Sequence, residues 1–131
     1  MPLGDSIPEH LERIATEIVD AAFCVHKEMK AGLLESVYVT CLAYELTKRG
    51  FKVQREVELP VFYQGVRMEV GFRIDLLIED QILIEVKSVE RMEPIFKAVL
   101  HNYLRLSQKR LGFLINFNTL KFTDGIQRIV I

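Results

Sequence analysis

Residues 72–87 read FRIDLLIEDQILIEVK, and this stretch decides the fold. Two apolar runs, 72–78 and 82–87, flank the polar triplet Glu79-Asp80-Gln81. Apolar runs of this length that are bounded by polar turn residues are typical of neighbouring β-strands. We therefore predict an antiparallel pair of strands in this part of the chain.

The length of the turn decides which side chains of this hairpin share a face. Successive side chains of a strand point to opposite faces, so a slip of one residue reverses the pattern. With a three-residue turn, counting back along both strands places Asp75 opposite Glu85 and Arg73 opposite Lys87. A two-residue turn would instead place the two acids on opposite faces.

The three-residue register predicts a site for a hard metal ion between the two acids. Two carboxylates that meet on a half-buried sheet both remain ionised only if a cation lies between them. Their oxygens, completed by water and the backbone carbonyl of Val86, suit Mg²⁺ or Mn²⁺ rather than zinc. Lys87 would place a positive charge beside the metal, where it orients a water or neutralises a developing anion. The alternative is a ladder of salt bridges on a solvated face, formed by Arg73, Asp75, Glu85 and Lys87.

A third acid, Glu35, lies in the first turn of a predicted helix. One face of that helix carries residues at spacings of three, four and three: Glu35, Tyr38, Leu42 and Glu45. Because this face also carries core residues, an acid that points inward beside Tyr38 needs a partner, and a metal on the sheet beneath would supply one. The alternative is that Glu35 only interacts with the helix dipole.

Hydrophobic spacing predicts three helices and five strands along the chain. A capping pattern over residues 6–9 predicts the start of the first helix, and Gly32 its end. The second helix is expected over about 34–49 and the third over about 94–108. Strands are expected over 51–63, 66–78, 82–86, 111–117 and 127–131. This ααβββαββ order predicts an α/β protein, more narrowly an α+β mixed sheet flanked by helices.

Composition limits the classes of protein to which the chain can belong. The 131 residues are 50% hydrophobic and 27% charged, which predicts one folded domain over residues 1–131 rather than disorder. No apolar run approaches the roughly 20 residues of a membrane helix, and acids interrupt residues 1–14, so we expect neither a membrane protein nor a secreted one. Cys24 and Cys41 lack metal-ligand spacing, and we expect them to be reduced core thiols of a cytoplasmic protein.

The net charge of −1 conceals an asymmetry along the chain. Residues 1–80 carry nine basic and fourteen acidic side chains, whereas residues 81–131 carry eight basic and four acidic ones. A basic C-terminal half suits contact with a polyanion such as nucleic acid. The alternative is that the cations only solvate a helix surface; they include Arg91, Lys97, Arg105, Lys109 and Arg110.

The segment Gly32-Leu33-Leu34-Glu35-Ser36-Val37-Tyr38 reads as a GxxExxY signature. Further matching segments follow in order, at 73–77, 84–90, 102–104, 112–117 and 124–128. On this ordered set, which spans nearly the whole chain, the protein resembles the GxxExxY protein family within the PD-(D/E)XK nuclease superfamily.

The resemblance implies a restriction-endonuclease-like αβββαβ core with an N-terminal helical hairpin. It also implies that Asp75 is the motif aspartate, and that Glu85 and Lys87 are the two ends of the (D/E)XK element. Glu35 would be the helix-borne acid. Ile74 stands where the family's pattern has the proline of the "PD" pair.

These observations predict metal-dependent hydrolysis of phosphodiester bonds in DNA or RNA. Asp75, Glu85 and Glu35 would bind Mg²⁺ or Mn²⁺, and Lys87 would assist the attacking water. The rival is a non-hydrolytic module that keeps the fold and binds nucleic acid or a protein partner; it is favoured by Val99, where many relatives have glutamine. A third alternative is a structural homodimer that forms through a sheet edge or the helical hairpin.

Overall fold

The computed structural model describes residues 6–131. Its elements follow the predicted ααβββαββ order, with a short 3₁₀ helix added before the last strand. Within these residues, none of the helices has the length and apolar character needed to cross a membrane. The elements are α1 (Glu9–Met29), α2 (Glu35–Lys48), β1 (Val53–Tyr63), β2 (Val66–Ile78), β3 (Ile82–Lys87), α3 (Pro94–Ser107), β4 (Leu111–Asn116), the 3₁₀ helix (Phe122–Asp124) and β5 (Ile126–Val130).

The five strands form one mixed sheet in the order β1-β2-β3-β4-β5. The first three strands form the predicted antiparallel meander, β3 and β4 run parallel, and β5 is antiparallel to β4. α3 provides the crossover that parallel neighbours require, because a tight turn cannot join them. All residues of β4 are buried, as the continuous apolar run from Leu111 predicts.

Different helices cover the two faces of the sheet. α1 and α2 pack on one face, termed here the hairpin face, where their apolar residues meet Ile82 and Ile84. α3 packs on the other face, termed the α3 face, where Leu100 and Leu104 meet Leu83. Each face therefore buries its own apolar cluster, and the two clusters share the central strands.

β3 alternates strictly between these two faces. Ile82, Ile84 and Val86 belong to the apolar cluster of the hairpin face. Since side chains alternate along a strand, Glu85 and Lys87 extend toward the α3 face. The two ends of the (D/E)XK-like element therefore lie on the side of the sheet that a single helix covers.

The alternation of β2, by contrast, is interrupted at Asp75. Ile74 belongs to the cluster of the α3 face, whereas Leu76, two residues later, belongs to that of the hairpin face. On the neighbouring strand Glu56 has a positive φ of 49°. The β1–β2 ladder pairs the residues on either side of Glu56 and Asp75 but not these two residues themselves. The strand thus changes the orientation of its side chains at Asp75, which strict alternation does not predict.

The start of α1 differs from the prediction that placed a capping residue at Ser6. The helix begins at Glu9, and the carbonyl of Pro8 accepts hydrogen bonds from the N–H groups of Leu11 and Glu12. Pro8 has the extended backbone of an N-cap residue (φ −55°, ψ 145°), so the N-cap falls there and Ser6 lies outside the helix. At the other end α1 stops at Met29, before the predicted Gly32.

The two cysteines are free thiols, and the expectation that both lie in the core is wrong for Cys24. Cys24 is exposed, whereas Cys41 is half-buried and packs against the cluster of the hairpin face. The buried position of this turn of α1 is taken by the next residue, Val25. Both thiols line a shallow groove between α1 and α2.

Candidate metal centre

Asp75 and Glu85 lie together at the point where β2 and β3 separate. The β2–β3 ladder ends at the pair Leu76–Ile84. Beyond it, the N–H of Asp75 donates to Oε1 of Glu85 at 3.0 Å, and the N–H of Val86 donates to Oδ2 of Asp75 at 2.8 Å. In a continuing ladder, backbone carbonyls would accept these hydrogen bonds; here the two carboxylates accept them instead. The two hydrogen bonds hold the carboxylates of Asp75 and Glu85 beside each other.

The turn that sets this register has the three-residue length. Ile78 pairs with Ile82, and the N–H of Gln81 donates to the carbonyl of Ile78 at 2.9 Å. Glu79 and Asp80 have positive φ values of 52° and 58°, a turn backbone that matches the right-handed twist of the strands. Of the two registers that the sequence leaves open, the structure has the one that brings the acids together.

Arg73 does not lie opposite Lys87, and that part of the register prediction is wrong. The β2–β3 ladder ends before either residue is reached. Arg73 instead pairs with Glu58 of β1, and its guanidinium lies 3.6 Å from the carboxylate of Glu58 and 3.8 Å from that of Glu56. Arg73 therefore takes no part in a salt-bridge ladder with Asp75, Glu85 and Lys87, the alternative to a metal site.

Burial raises the pKa of both acids. Glu85 is only 9% exposed, and burial together with the nearby charge of Asp75 raises its pKa to about 7. Burial also raises the pKa of Asp75, although the N–H of Val86 and the charge of Lys87 act in the opposite direction. At neutral pH the pair is therefore incompletely ionised, and a bound cation would favour its full ionisation.

Glu35, the first residue of α2, lies within electrostatic range of this pair. Partial burial of its carboxyl and the charge of Asp75 raise its pKa, and the charge of Lys87 lowers it. The residue itself is exposed. Within residues 6–131, no three or more His, Cys, Asp or Glu side chains are grouped so that they could hold a metal ion. The structure therefore brings Asp75 and Glu85 together and leaves Glu35 beside them.

Tyr38 fixes the loop that presents Glu35. Its hydroxyl donates to the carbonyl of Lys30 at 2.5 Å and accepts a hydrogen bond from the N–H of Leu33 at 3.0 Å. Its ring is fully buried and stacks on Phe117, with the ring centroids 4.7 Å apart, so Tyr38 packs in the core. One side chain thus joins the end of α1 to the start of α2.

The same loop contacts the segment that follows β3. Oγ of Ser88 donates to the carbonyl of Leu33 at 2.6 Å. The preceding Gly32 has a φ of 102°, which glycine adopts without steric strain. Because Ser88 directly follows Lys87, this hydrogen bond joins the end of β3 to the loop that precedes Glu35. These contacts account for the glycine and the tyrosine of the GxxExxY segment.

Lys87 ends β3 with its ammonium over the ring of Phe96 in α3. Nζ lies 4.5 Å from the ring centroid. The charge of Lys87 lowers the pKa of all three acids, Asp75, Glu85 and Glu35. In the part of the chain that the structure describes, however, the ammonium forms no ion pair within 4.0 Å. The lysine is close to the acids without being paired to one of them.

A family model of the PD-(D/E)XK nuclease superfamily matches residues 12–129, almost the entire chain. The chain belongs to the PD-(D/E)XK nuclease superfamily. No curated protein and no solved structure matches it. The narrower assignment to the GxxExxY family stays a prediction.

PD-(D/E)XK nucleases generally use divalent metal ions, and the donor atoms of this chain fit such an ion. Asp75 and Glu85 each accept one backbone hydrogen bond and retain further oxygen lone pairs. Burial, the main cause of their raised pKa values, disfavours the ionised carboxylates, and a bound cation would stabilise them. Carboxylate oxygens of this kind are the ligands that Mg²⁺ and Mn²⁺ prefer.

Tyr103 lies within electrostatic range of Asp75 and Glu85. Its ring stacks on Phe72 with the centroids 4.4 Å apart and packs against the apolar cluster of the α3 face. Burial, together with the charges of Glu85 and Asp75, raises the pKa of its hydroxyl. The sequence reveals the apolar position of Tyr103 on α3 but not its proximity to the acids.

Asn116 holds the segment after Lys87 and was missed from the sequence. It is buried at the end of β4, where Oδ1 accepts hydrogen bonds from the N–H groups of Val89 and Asn118, each at 3.1 Å. Nδ2 donates to the carbonyl of Val89 at 3.0 Å. The sequence signal for this role is a polar amide at the end of an apolar run, since a buried amide needs hydrogen-bond partners.

Proposed function

We propose that this protein is a Mg²⁺- or Mn²⁺-dependent nuclease that hydrolyses phosphodiester bonds in nucleic acid. The observation that carries the proposal is the Asp75–Glu85 pair, whose carboxylates accept hydrogen bonds across the separating strands. The unpaired Lys87 beside the pair supports the same chemistry. Membership in the superfamily supports the reaction class.

The metal ligands that we assign are the carboxylates of Asp75, Glu85 and Glu35 and the backbone carbonyl of Val86. A bound metal would shield the charge of the phosphate and lower the pKa of the attacking water. Hydrogen bonds from backbone N–H groups hold the carboxylates of Asp75 and Glu85 in place. Glu35 is exposed at the start of α2, and its carboxyl lies within electrostatic range of Asp75.

Lys87 supplies a positive charge where negative charge develops as water attacks the phosphate. An ammonium that is not already paired to a carboxylate can respond to that new charge. Its loss should therefore lower the rate of cleavage more than the affinity for substrate. This division between rate and affinity distinguishes a catalytic role for Lys87 from a role in binding.

Nucleic acid is the substrate class that the charges of α3 support. Lys97 and Arg105 are exposed on this helix, which contains no acidic residue. The side chain of Asn102 accepts two hydrogen bonds from the guanidinium of Arg105, at 3.2 and 2.8 Å, and so orders it. Exposed cations on a helix without acids attract a phosphate backbone.

A cleavage assay tests the proposed reaction. Wild type, Asp75→Asn and Lys87→Ala are incubated with single-stranded, duplex and branched DNA and RNA in Mg²⁺, Mn²⁺ or EDTA. We expect metal-dependent cleavage by the wild type and a loss of at least about 100-fold in both variants, because each removes charge from the reacting centre. Arg73→Gln is the matched control: it alters the same strand at an exposed site and should retain activity.

The rival function is a binding module without hydrolysis, and the cations of α3 support it independently of the acids. Wild type that binds nucleic acid with a steep dependence on salt but cuts nothing in either metal would favour this module over the nuclease. Substitution of Lys97, Arg105 and Lys109 together should then weaken binding and flatten its salt dependence, because fewer counterions are released.

A further inference from the structure

Lys87 carries a long, flexible side chain beside three acids. Its charge lowers the pKa of Asp75, Glu85 and Glu35, so the ammonium lies within their electrostatic reach. In a partly buried site, where the effective dielectric is below that of water, such an attraction favours direct ion pairs. A direct pair would occupy carboxylate oxygens that a metal ion needs, and would neutralise the lysine.

The ammonium rests elsewhere in the structure, above the ring of Phe96. Nζ is 4.5 Å from the ring centroid, inside the range of about 6 Å over which the negative face of an aromatic ring attracts a cation. Phe96 is itself well fixed, because it lies in the first turn of α3, behind Pro94, and packs against the apolar cluster of the α3 face. The ring therefore lies at a packed position beside the lysine.

We infer that Phe96 is a positioning residue, which holds Lys87 over its ring and out of ion pairs with Asp75 and Glu85. The inference rests on the proposed function, since it concerns the lysine and the acids of the same site. A neutral ring attracts the ammonium without compensating its charge, as a carboxylate would. Lys87 thus stays out of ion pairs within residues 6–131, and the carboxylate oxygens remain available to a metal ion.

A packing role for Phe96 would also explain its place in the apolar cluster, and the test must separate the two roles. Replacing Phe96 with mono-, di- and trifluorophenylalanine weakens the negative face of the ring step by step and nearly preserves its shape. The attraction of Lys87 should then decline along the series, while the packing of α3 should not. Phe96→Trp, with a stronger cation-binding ring, is a natural variant for comparison.

Mn²⁺ affinity, measured by titration calorimetry, is the first readout, because it does not depend on cleavage. We expect affinity to fall along the fluorine series, by about tenfold at trifluorophenylalanine, as the released Lys87 pairs with the acids and competes with the metal. Phe96→Trp should retain wild-type affinity. In a Lys87→Met background the same substitutions should leave Mn²⁺ affinity unchanged, since no ammonium remains to compete.

The rate of cleavage is the second readout and should decline in parallel with Mn²⁺ affinity. Equal Mn²⁺ affinity across the series, or an equal decline in the Lys87→Met background, would overturn the role of Phe96 even in an active nuclease. A wild type that binds Mn²⁺ with the expected dependence on Phe96 but cuts nothing would support the role and refute the nuclease. A wild type that binds no Mn²⁺ would overturn both.

Discussion

The two faces of the sheet differ in how completely helices cover them. Among the described residues, 22 buried apolar residues form the cluster of the hairpin face, whereas eight form that of the α3 face. Glu85 and Lys87 extend toward the less covered face, next to the point where β2 turns at Asp75. The larger cluster stabilises the sheet, and the thinner layer leaves room for charged groups where β2 and β3 separate.

The helices of the two faces also differ in charge. α1 carries several acids, three of which form ion pairs with cations elsewhere in the chain: Glu12 with Arg128 at 2.7 Å, and Glu17 and Asp20 with Arg49, each at 2.9 Å. α3 carries only basic charges. An open apolar groove of about 610 Å³ does lie on the hairpin face, but neither acid of the candidate site lines it. A polyanionic substrate is therefore expected on the α3 face.

Truncation of one buried leucine on each face tests whether only the α3 face supports the metal site. Leu42 of α2 and Leu100 of α3 are both fully buried, so replacing either with alanine should lower the free energy of unfolding by about 2–5 kcal/mol. Only Leu100→Ala should also weaken Mn²⁺ binding, because α3 carries Phe96. Chemical denaturation and calorimetry measure the two effects. A comparable loss of Mn²⁺ affinity in Leu42→Ala would show that the division between faces is wrong.

The pH dependence of stability reports the buried acid of the α3 face, Glu85. The pKa of Glu85 is about 7 in the folded protein against an ordinary 4.5, so the stability contributed by its protonated form is fully present below pH 4.5 and is lost as the pH rises through 7. Asp75, whose pKa is also raised, acts in the same direction. The metal-free protein should therefore be less stable at pH 8 than at pH 4.5.

Glu85→Gln tests the assignment of this pH dependence. The amide oxygen can still accept from the N–H of Asp75, but the side chain no longer ionises. In EDTA at pH 8 we expect the variant to be more stable than the wild type by about 2–3 kcal/mol, and the difference to vanish near pH 4.5. Urea denaturation at both pH values measures it. Parallel stability curves for the two proteins would assign the pH dependence to other groups.

Removal of one hydroxyl on the hairpin face should have a smaller effect. Tyr38→Phe deletes the hydrogen bonds to Lys30 and Leu33 but preserves the stack on Phe117. We expect a loss of about 1–2 kcal/mol in stability and faster amide exchange at Leu33. The control is Tyr44→Phe, at an exposed tyrosine of the same helix, which should change stability by less than about 0.5 kcal/mol. Unchanged exchange at Leu33 would argue against the anchoring role of Tyr38.

Local patterns in the sequence predict much of this fold. The triplet Glu79-Asp80-Gln81 limits the hairpin to two registers, and one of them is observed. Pro94 marks the start of α3, where its missing N–H and fixed φ favour a helix. The apolar run from Leu111 gives β4. In each case the determining residues are neighbours in the chain, so their pattern records the structure directly.

The remainder of the site depends on contacts between distant parts of the chain. Strict alternation did not predict the reversal at Asp75, which lies opposite a positive φ at Glu56 in another strand. The partner of Arg73 is set by where β2 leaves β3. The position of Phe96 above Lys87 follows from the packing of α3 on the sheet. No spacing in the sequence encodes these relations.

Anomalous scattering from crystals of the wild type grown with Mn²⁺ tests directly whether Asp75 and Glu85 bind a metal ion. We predict an anomalous peak between Asp75 and Glu85, about 2 Å from an oxygen of each carboxylate. In crystals of Asp75→Asn grown under the same conditions the peak should be lost or strongly reduced. A wild-type map with no peak between these acids, or with its Mn²⁺ peak elsewhere, would contradict the account.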